Sequence, residues 1–350
     1  AALALFCRPG DQVLIDRGCH RAVYNALALL DLEPVYLPRP WRAGEGIAGP
    51  ISPTDVENLL DSHPNIKTIC IASPTYSGVL SDIKELSHII HARGGNLIVD
   101  GAHGAHLPFL GVDAFSGCDA LICSAHKTLP ALGQSALLFT NGVDPRRVRQ
   151  MTSVFGSSSP SYPMMISLDC ARDYLDGKGM EEYRRVARRT AALRAAFPSL
   201  QEGELRLDPT RLTLTSPDGN ALAQALEGEN IWPEMADSGH VVLILTGMDS
   251  EEDLDRLECA LEEVPALLGV CPPIPAPPLP ERVLSPAADA QACSFPAGSP
   301  VRPGGASPSG ELPGPGCGRP AGSLSPRRAG GGSRRGDWGK RTGLFAGNRI

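Results

Sequence analysis

The sequence predicts an α/β protein, a mostly parallel sheet layered with helices and followed by a smaller α/β unit. Three observations predict it. First, short apolar runs such as "IKTICIAS" (66–73), "NLIVD" (96–100) and "ALICSA" (120–125) look like strands buried on both faces. Second, segments with helical apolar spacing lie between such runs, the alternation expected of a parallel sheet covered by helices. Third, the chain changes character after its second apolar unit: sixteen of its 33 prolines fall in residues 265–350.

Taken in order, "GDQVLIDR" (10–17) and "EPVYLPR" (33–39) predict strands on either side of the helical "HRAVYNALALLD" (20–31). "SPTDVENLLDSH" (52–63) opens with a capping-type serine and a proline before its apolar spacing begins. "DIKELSHIIHARG" (82–94) places Ile83, Leu86, Ile89 and Ile90 on one helical face and ends at a glycine pair. "SALLFT" (135–140) is a further strand, and residues 168–197 are helical, with "EEYRRVARRTAALRAAF" amphipathic. A second unit follows: strand "TRLTLT" (210–215), helix "GNALAQALEG" (219–228), strand "HVVLILT" (240–246) and helix "DSEEDLDRLECALEEV" (249–264). The expected organisation is a major domain over 1–180, a small C-terminal α/β domain over 181–268, and a Pro/Gly/Arg-rich linker and tail over 269–350.

Composition narrows the function classes. The 350 residues are 42% hydrophobic and 20% charged, enough for a sizeable core, and no apolar run reaches membrane-spanning length. Ten cysteines without a C-x-x-C pair argue against structural zinc and against a disulfide framework, and so toward reduced thiols and a cytoplasmic setting. The first residues, "AALALFCRPG", carry no basic signal-peptide region and read as the middle of a helix. Net charge is −7, but residues 287–350 hold nine Lys/Arg and three Asp/Glu. The Gly, Pro, Ser, Ala and Arg content of residues 297–350 predicts disorder. Because these are residues that GC-rich codons yield out of phase, a slip of reading frame between Pro286 and Cys293 is also expected, with a natural basic tail as the alternative. "SPRRAGGGSRRG" has no regular repeat and few aromatic neighbours, so nucleic acid is not the expected partner.

"CSAHKTLPALGQSALLF" (123–139) sets a lone lysine, Lys127, just beyond a predicted strand. In open α/β sheets ligands sit beyond the carboxyl ends of strands. Asp100 closes another strand, and Ser73, Ser124, His126, His103, His106 and His20 follow strands as well. A strand-end aspartate and a lysine about one β-α-β unit later suit pyridoxal phosphate chemistry. The lysine amine bonds the cofactor aldehyde and the carboxylate keeps the pyridine nitrogen protonated. A surface lysine beside an ordinary capping aspartate is the plain alternative. Two motifs point elsewhere and are set aside. H-x-x-H at 103–106 has no H-E-x-x-H helix, so no metal is expected; "GEGIAG" (44–49) lacks the strand–turn–helix context of a dinucleotide site.

The stretches "DRGCHRAVYNALALLDLEPVYL", "SPTYSGVLSDIKEL", "LIVDGAHGAHLPF", "SAHKTLPALGQSALL" and "SSSPSYPMMISLD" resemble the major domain of the ornithine/lysine/arginine decarboxylase family. These are pyridoxal-phosphate enzymes of the aspartate-aminotransferase fold (fold type I). "TRLTLT" and "WPEMADSGHVVLILT" resemble that family's smaller C-terminal part, and the resemblance runs from residue 1 to about 286. It implies decarboxylation of a basic amino acid, with Lys127 as the Schiff-base lysine and Asp100 paired with the pyridinium. It further implies His20 stacked on the ring, His103 beside it, Ser124 and His126 near the phosphate and the lysine, and Thr75 in a strand-end loop near the cofactor. Ser158 and Ser159 would reach a neighbouring subunit's site, so a homodimer or higher homo-oligomer is implied. An aminotransferase or lyase of the same fold, or a catalytically inert partner subunit, are the other readings. Two departures from the family pattern carry expectations. Gly101 stands where an acidic residue is usual, which predicts a looser loop around His103; and the family's phosphate-binding loop is expected to lie before Ala1.

Overall fold

The computed structural model describes residues 1–276. The expectations for the tail, disorder and a slipped frame, fall outside the described residues. Eleven strands and ten α-helices order the described chain. The main sheet contains β1 (Gln12–Asp16), β2 (Glu33–Leu37), β5 (Thr68–Ala72), β6 (Asn96–Asp100), β7 (Ala120–Ser124) and β8 (Ala136–Thr140), in the order β2-β1-β5-β6-β7-β8. All neighbours pair in parallel except β7 and β8, which are antiparallel. Between β2 and β5 a two-stranded hairpin, β3 (Trp41–Arg42) with β4 (Ile47–Ala48), occupies the "GEGIAG" region. Gly46 turns it at φ +67°, a left-handed value that favours glycine.

Side-chain alternation along the strands builds two layers of core. Leu14, Ile69, Ile71, Leu97, Val99 and Leu121 face one side, against α3 (Pro53–Ser62) and α4 (Ile83–Ala92). Val13, Ile15, Cys70, Ile98 and Ala120 face the other, against α1 (Ala2–Phe6) and α2 (Arg21–Leu30). Burying each such Leu or Ile contributes about 1.5–3 kcal/mol. The capping serine at 52 acts as expected, and Asp82 is a second cap. Ser52 accepts from Asp55 N–H at 3.2 Å and Asp82 from Glu85 N–H at 2.9 Å, each satisfying a free donor of a helix start.

Past β7 come α5 (Ala125–Thr128), α6 (Pro145–Phe155), α7 (Tyr162–Tyr174) and, after a wide turn at Leu175–Gly179, α8 (Met180–Ala196). The second sheet is antiparallel, with β9 (Arg211–Thr215), β10 (Met235–Ala236) and β11 (His240–Ile244) in the order β10-β11-β9. It has its own core with α9 (Gly219–Gly228) and α10 (Glu251–Glu263), joined by Val186 and Leu193 of α8. Among the described residues no helix is long and apolar enough to cross a membrane.

One buried ion pair ties the carboxyl ends of β1 and β5 together. Asp16 is fully buried and meets Arg39 at 2.5 Å. It also accepts from Gly18 N–H (2.8 Å) and Ala72 N–H (3.1 Å). Arg39 in turn donates to the carbonyls of Gly49 and Ala72. Removing one partner strands a buried charge, so Asp16→Asn should destabilise the protein by about 3–5 kcal/mol, read as a lowered urea midpoint. A loss below about 1 kcal/mol, the level of an exposed pair, would mean that the pair does not hold the strand ends.

Candidate active site

Parallel pairing brings the carboxyl ends of β1, β5, β6 and β7 to one edge, where a cavity of about 400 Å³ opens. Its volume lies in the roughly 300–1,000 Å³ range of small-molecule sites. The strand order changes direction between β1 and β5, the place where open α/β sheets bind ligands. His20 enters from the turn after β1, Thr75 from the turn after β5, Asp100 and His103 from the end of β6, and Ser124 and Lys127 from the end of β7. Six of the sequence-predicted site residues therefore share one cavity.

The local sequence fixes each of them. His20 is the N-cap of α2, and its Nδ1 accepts from Ala22 N–H at 3.2 Å. Thr75 closes a turn, its Oγ1 accepting from Val79 N–H at 3.1 Å, which leaves Tyr76 at the cavity wall. Asp100 ends β6 and accepts from Ala102 N–H at 3.1 Å. Burial pushes its carboxyl up from the ordinary range, against the opposing pull of that N–H and of the charges on His20 and Lys127. Ser124 sits at the N-cap of α5 without capping it. Lys127 Nζ lies 3.2 Å from His103 Nε2 and 5.9 Å from the centre of the Tyr76 ring.

His126, Ser158 and Ser159 are placed elsewhere. In the single turn of α5 successive residues point about 100° apart, so His126 and Lys127 face different ways. His126 Nδ1 is 2.9 Å from the Ser135 carbonyl, and the residue does not line the cavity. Ser158 and Ser159 lie on the exposed link between α6 and α7. The expectation of a loose loop at Gly101 is corrected. A Cβ on Gly101 would stand 2.7 Å from Leu121 Cδ1 and 2.9 Å from Phe115 Cε1, so the loop packs tightly there because the residue lacks a side chain.

Three contributors escaped the sequence reading: Tyr76, Arg39 and a buried group centred on Arg211. Tyr76 and His103 rings lie 4.4 Å apart. Behind them Arg211, 2% exposed, donates toward the carbonyls of Tyr76 and His103, and Asp208 accepts from Thr210 N–H. His106 Nε2 stands 3.0 Å from Asp208 Oδ1, so the second histidine of "HGAH" belongs to this buried group and not to the cavity. Burial would push the Asp208 carboxyl up, but His106, Arg211 and the Thr210 N–H outweigh it and hold it below the usual carboxylate range. For His103, burial and then the positive charges of Arg211 and Lys127 lower the imidazole to about 3.

The architecture is that of the pyridoxal-phosphate-dependent fold-type I enzymes. Over 74% of this chain and 46% of the other, the fold matches Escherichia coli constitutive lysine decarboxylase with a TM-score of 0.64 at 19% identity. Over 75% of this chain and 77% of the other it matches alanine–glyoxylate aminotransferase from Nostoc sp. with a TM-score of 0.56 at 20% identity. The family model for the Orn/Lys/Arg decarboxylase major domain matches residues 1–209, and the chain belongs to that family. Among curated relatives, the uncharacterized protein YaaO of Bacillus subtilis is 34% identical over 265 residues, covering 70% of this chain and 55% of YaaO. An arginine decarboxylase of the same organism is 30% identical over 281 residues, covering 74% of this chain and 57% of the relative. The chain thus spans little more than half the length of these two relatives.

The lowered His103 has a consequence for stability. Unfolded histidine takes its proton near pH 6.5, whereas the folded site resists it down to about pH 3. Between those values the unfolded chain binds more protons, so this residue makes stability fall as pH falls. His103→Gln should flatten the fall in unfolding free energy between pH 6.5 and 4, by at most roughly 1.4 kcal/mol per pH unit. Parallel curves for the two proteins would place His103 in water-like surroundings.

Proposed function

We propose that this protein is a pyridoxal-phosphate-dependent decarboxylase of a basic amino acid, releasing carbon dioxide and the corresponding amine. The observation that carries the reading is the convergence of Lys127, Asp100 and His20 on one cavity. Membership of the decarboxylase family supports it, as do relatives named arginine decarboxylase. Arginine, lysine and ornithine are the candidate substrates.

The cavity suits this cofactor on its own chemistry. Asp100 is a carboxylate in a shielded wall whose charge burial disfavours. A protonated ring nitrogen set against it would add a direct counter-charge to the pull that His20 and Lys127 already exert there. On the next strand Lys127 offers the amine that the cofactor's aldehyde requires. Asp100 would hold the pyridine nitrogen, Lys127 the aldehyde carbon, and His20 one face of the ring, with His103, Thr75 and Ser124 around them. Bound there, pyridoxal phosphate supplies an electron sink for the pair left on the α-carbon when carbon dioxide departs.

The residues of the chain do the rest. Asp100 would hold a proton on the ring nitrogen by its charge, which acts strongly in a water-poor site. His20 and Tyr76 line the walls and limit the orientations open to a substrate, and orientation is worth several kcal/mol of barrier. His103, held neutral, adds a polar ring beside Lys127 without adding a charge. We also infer a homodimer, in which Ser158 and Ser159 approach the partner's cavity. The exposed apolar side chains of Tyr162, Met165 and Ile166, 78%, 50% and 63% exposed, support a second copy covering the start of α7.

The test is direct. With pyridoxal phosphate and each basic amino acid in turn, the protein should release carbon dioxide and one amine. Lys127→Ala should abolish this. Asp100→Asn should stay folded and lower the rate about 10²-fold, the equivalent of roughly 3 kcal/mol. Near-normal turnover by Asp100→Asn would remove Asp100 from the mechanism, and cofactor binding without carbon dioxide from any of the three substrates would overturn the decarboxylase reading.

A further inference from the structure

Lys127 stands on α5, a helix of four residues, and a turn this short has almost no stability of its own. One bond closes it, from Leu129 N–H to the Ala125 carbonyl at 2.8 Å. The rest of its support comes from outside. At its start the Ser135 carbonyl accepts from Ala125 N–H at 3.0 Å and from His126 Nδ1 at 2.9 Å. At its end the Thr128 carbonyl, which the turn itself leaves free, accepts from the hydroxyl of Tyr183 on α8. The hydroxyl of Thr128 makes no hydrogen bond among the described residues, so the tie to this residue runs through its backbone. Lys127 lies between the two anchors.

Tyr183 is fully buried, and its ring is fixed without the help of its hydroxyl. The ring stacks on His106 with centres 5.9 Å apart. It also lies against Gly247, where an added Cβ would stand 2.7 Å from Tyr183 Cδ2, so a glycine makes the room. Burial, and then the neighbouring Tyr174, push the phenol well up from its ordinary value, against the pull of a hydrogen bond with the Gly247 backbone. The phenol therefore keeps its hydrogen. A carbonyl can only accept, so the hydroxyl is the donor to Thr128. Phenylalanine at 183 would keep the packing and lose that donor.

We propose that Tyr183 is a positioning residue for Lys127: by donating to the Thr128 carbonyl it fixes the end of α5, and so sets the place of the lysine amine in the cavity, 3.2 Å from His103 Nε2. Three residues along α8 from Tyr183, Val186 enters the core of the second sheet. The second sheet's helix is thereby tied to the lysine's own turn. The proposal deepens the reading of the cavity as a lysine-centred active site, and rests on that reading for the importance of Lys127.

Two readouts need neither cofactor nor substrate. In the full wild-type chain the Leu129 amide should be protected from hydrogen exchange, whereas an unanchored turn would leave it open. Tyr183→Phe should speed its exchange about tenfold, the scale of one lost hydrogen bond, and leave the amides of β6 and β7 unchanged. Trace labelling with acetic anhydride, read by peptide mass spectrometry over the five lysines, should show Lys127 of Tyr183→Phe acetylated about threefold faster relative to the other four. Tyr174→Phe is the matched control. It removes a hydroxyl that donates to the Gly247 carbonyl at 2.8 Å, away from α5, and both readouts should stay at their wild-type values. In the cofactor-loaded protein Tyr183→Phe should lower kcat and leave KM unchanged, because the amine is displaced and the substrate walls are not. An unprotected Leu129 in the wild type overturns the proposal. So does a Tyr183→Phe protein with a native circular dichroism spectrum and unchanged Leu129 exchange or Lys127 acetylation, and so do equal changes in Tyr174→Phe. Should Tyr183→Phe fail to fold, the wild-type protection of Leu129 still decides. Failure of the protein to bind pyridoxal phosphate would sink the functional reading and leave the exchange and acetylation results standing.

Discussion

Parallel pairing of β1, β5, β6 and β7 is the constraint on which the site depends. In a parallel sheet every strand ends on the same side, so residues from four strand ends between positions 20 and 127 become neighbours. The core makes this possible. Strands buried on both faces cannot slip by one residue without exchanging their two apolar layers, and the registers Ala72–Asp100 and Asp100–Ile122 keep the strand ends level. The Asp16–Arg39 pair fixes the remaining edge, where His20 enters.

The cavity wall is made rigid from behind. The buried polar groups partner one another in part: Asp208 Oδ1 faces His106 and Thr210 and Arg211 faces Tyr76 and His103, while His106 Nδ1, Asp208 Oδ2 and Arg211 Nε make no hydrogen bond among the described residues. The second sheet therefore contributes to the site by placing one arginine, while its own apolar core lies with α8, α9 and α10.

Much of this was legible in the sequence, for identifiable reasons. "TICIA", "NLIVD" and "ALICS" were found as strands because near-continuous apolar runs are what burial on two faces demands. Asp100 and Lys127 were found because polar residues at the ends of such runs stand out. By contrast, α6 buries no side chain, so "PRRVRQMTSVF" carries no apolar period to read. The strands of the 41–48 hairpin are two residues each, too short for alternation to register. Arg211 looked like an ordinary strand residue, and its burial follows from tertiary packing over Gly78, which sequence spacing does not encode. The place of His126 near the lysine was implied by the resemblance alone, and the four-residue helix that turns it away is too short to leave an apolar period.

The central claim is that Lys127 is the residue that receives the cofactor. The chain has five lysines, at 67, 84, 127, 178 and 340, so the claim can be read residue by residue. After incubation with stoichiometric pyridoxal phosphate and reduction with borohydride, peptide mass spectrometry should find the pyridoxyl group on Lys127, with the other four unmodified. Labelling spread over the surface lysines, with Lys127 spared, would contradict the account.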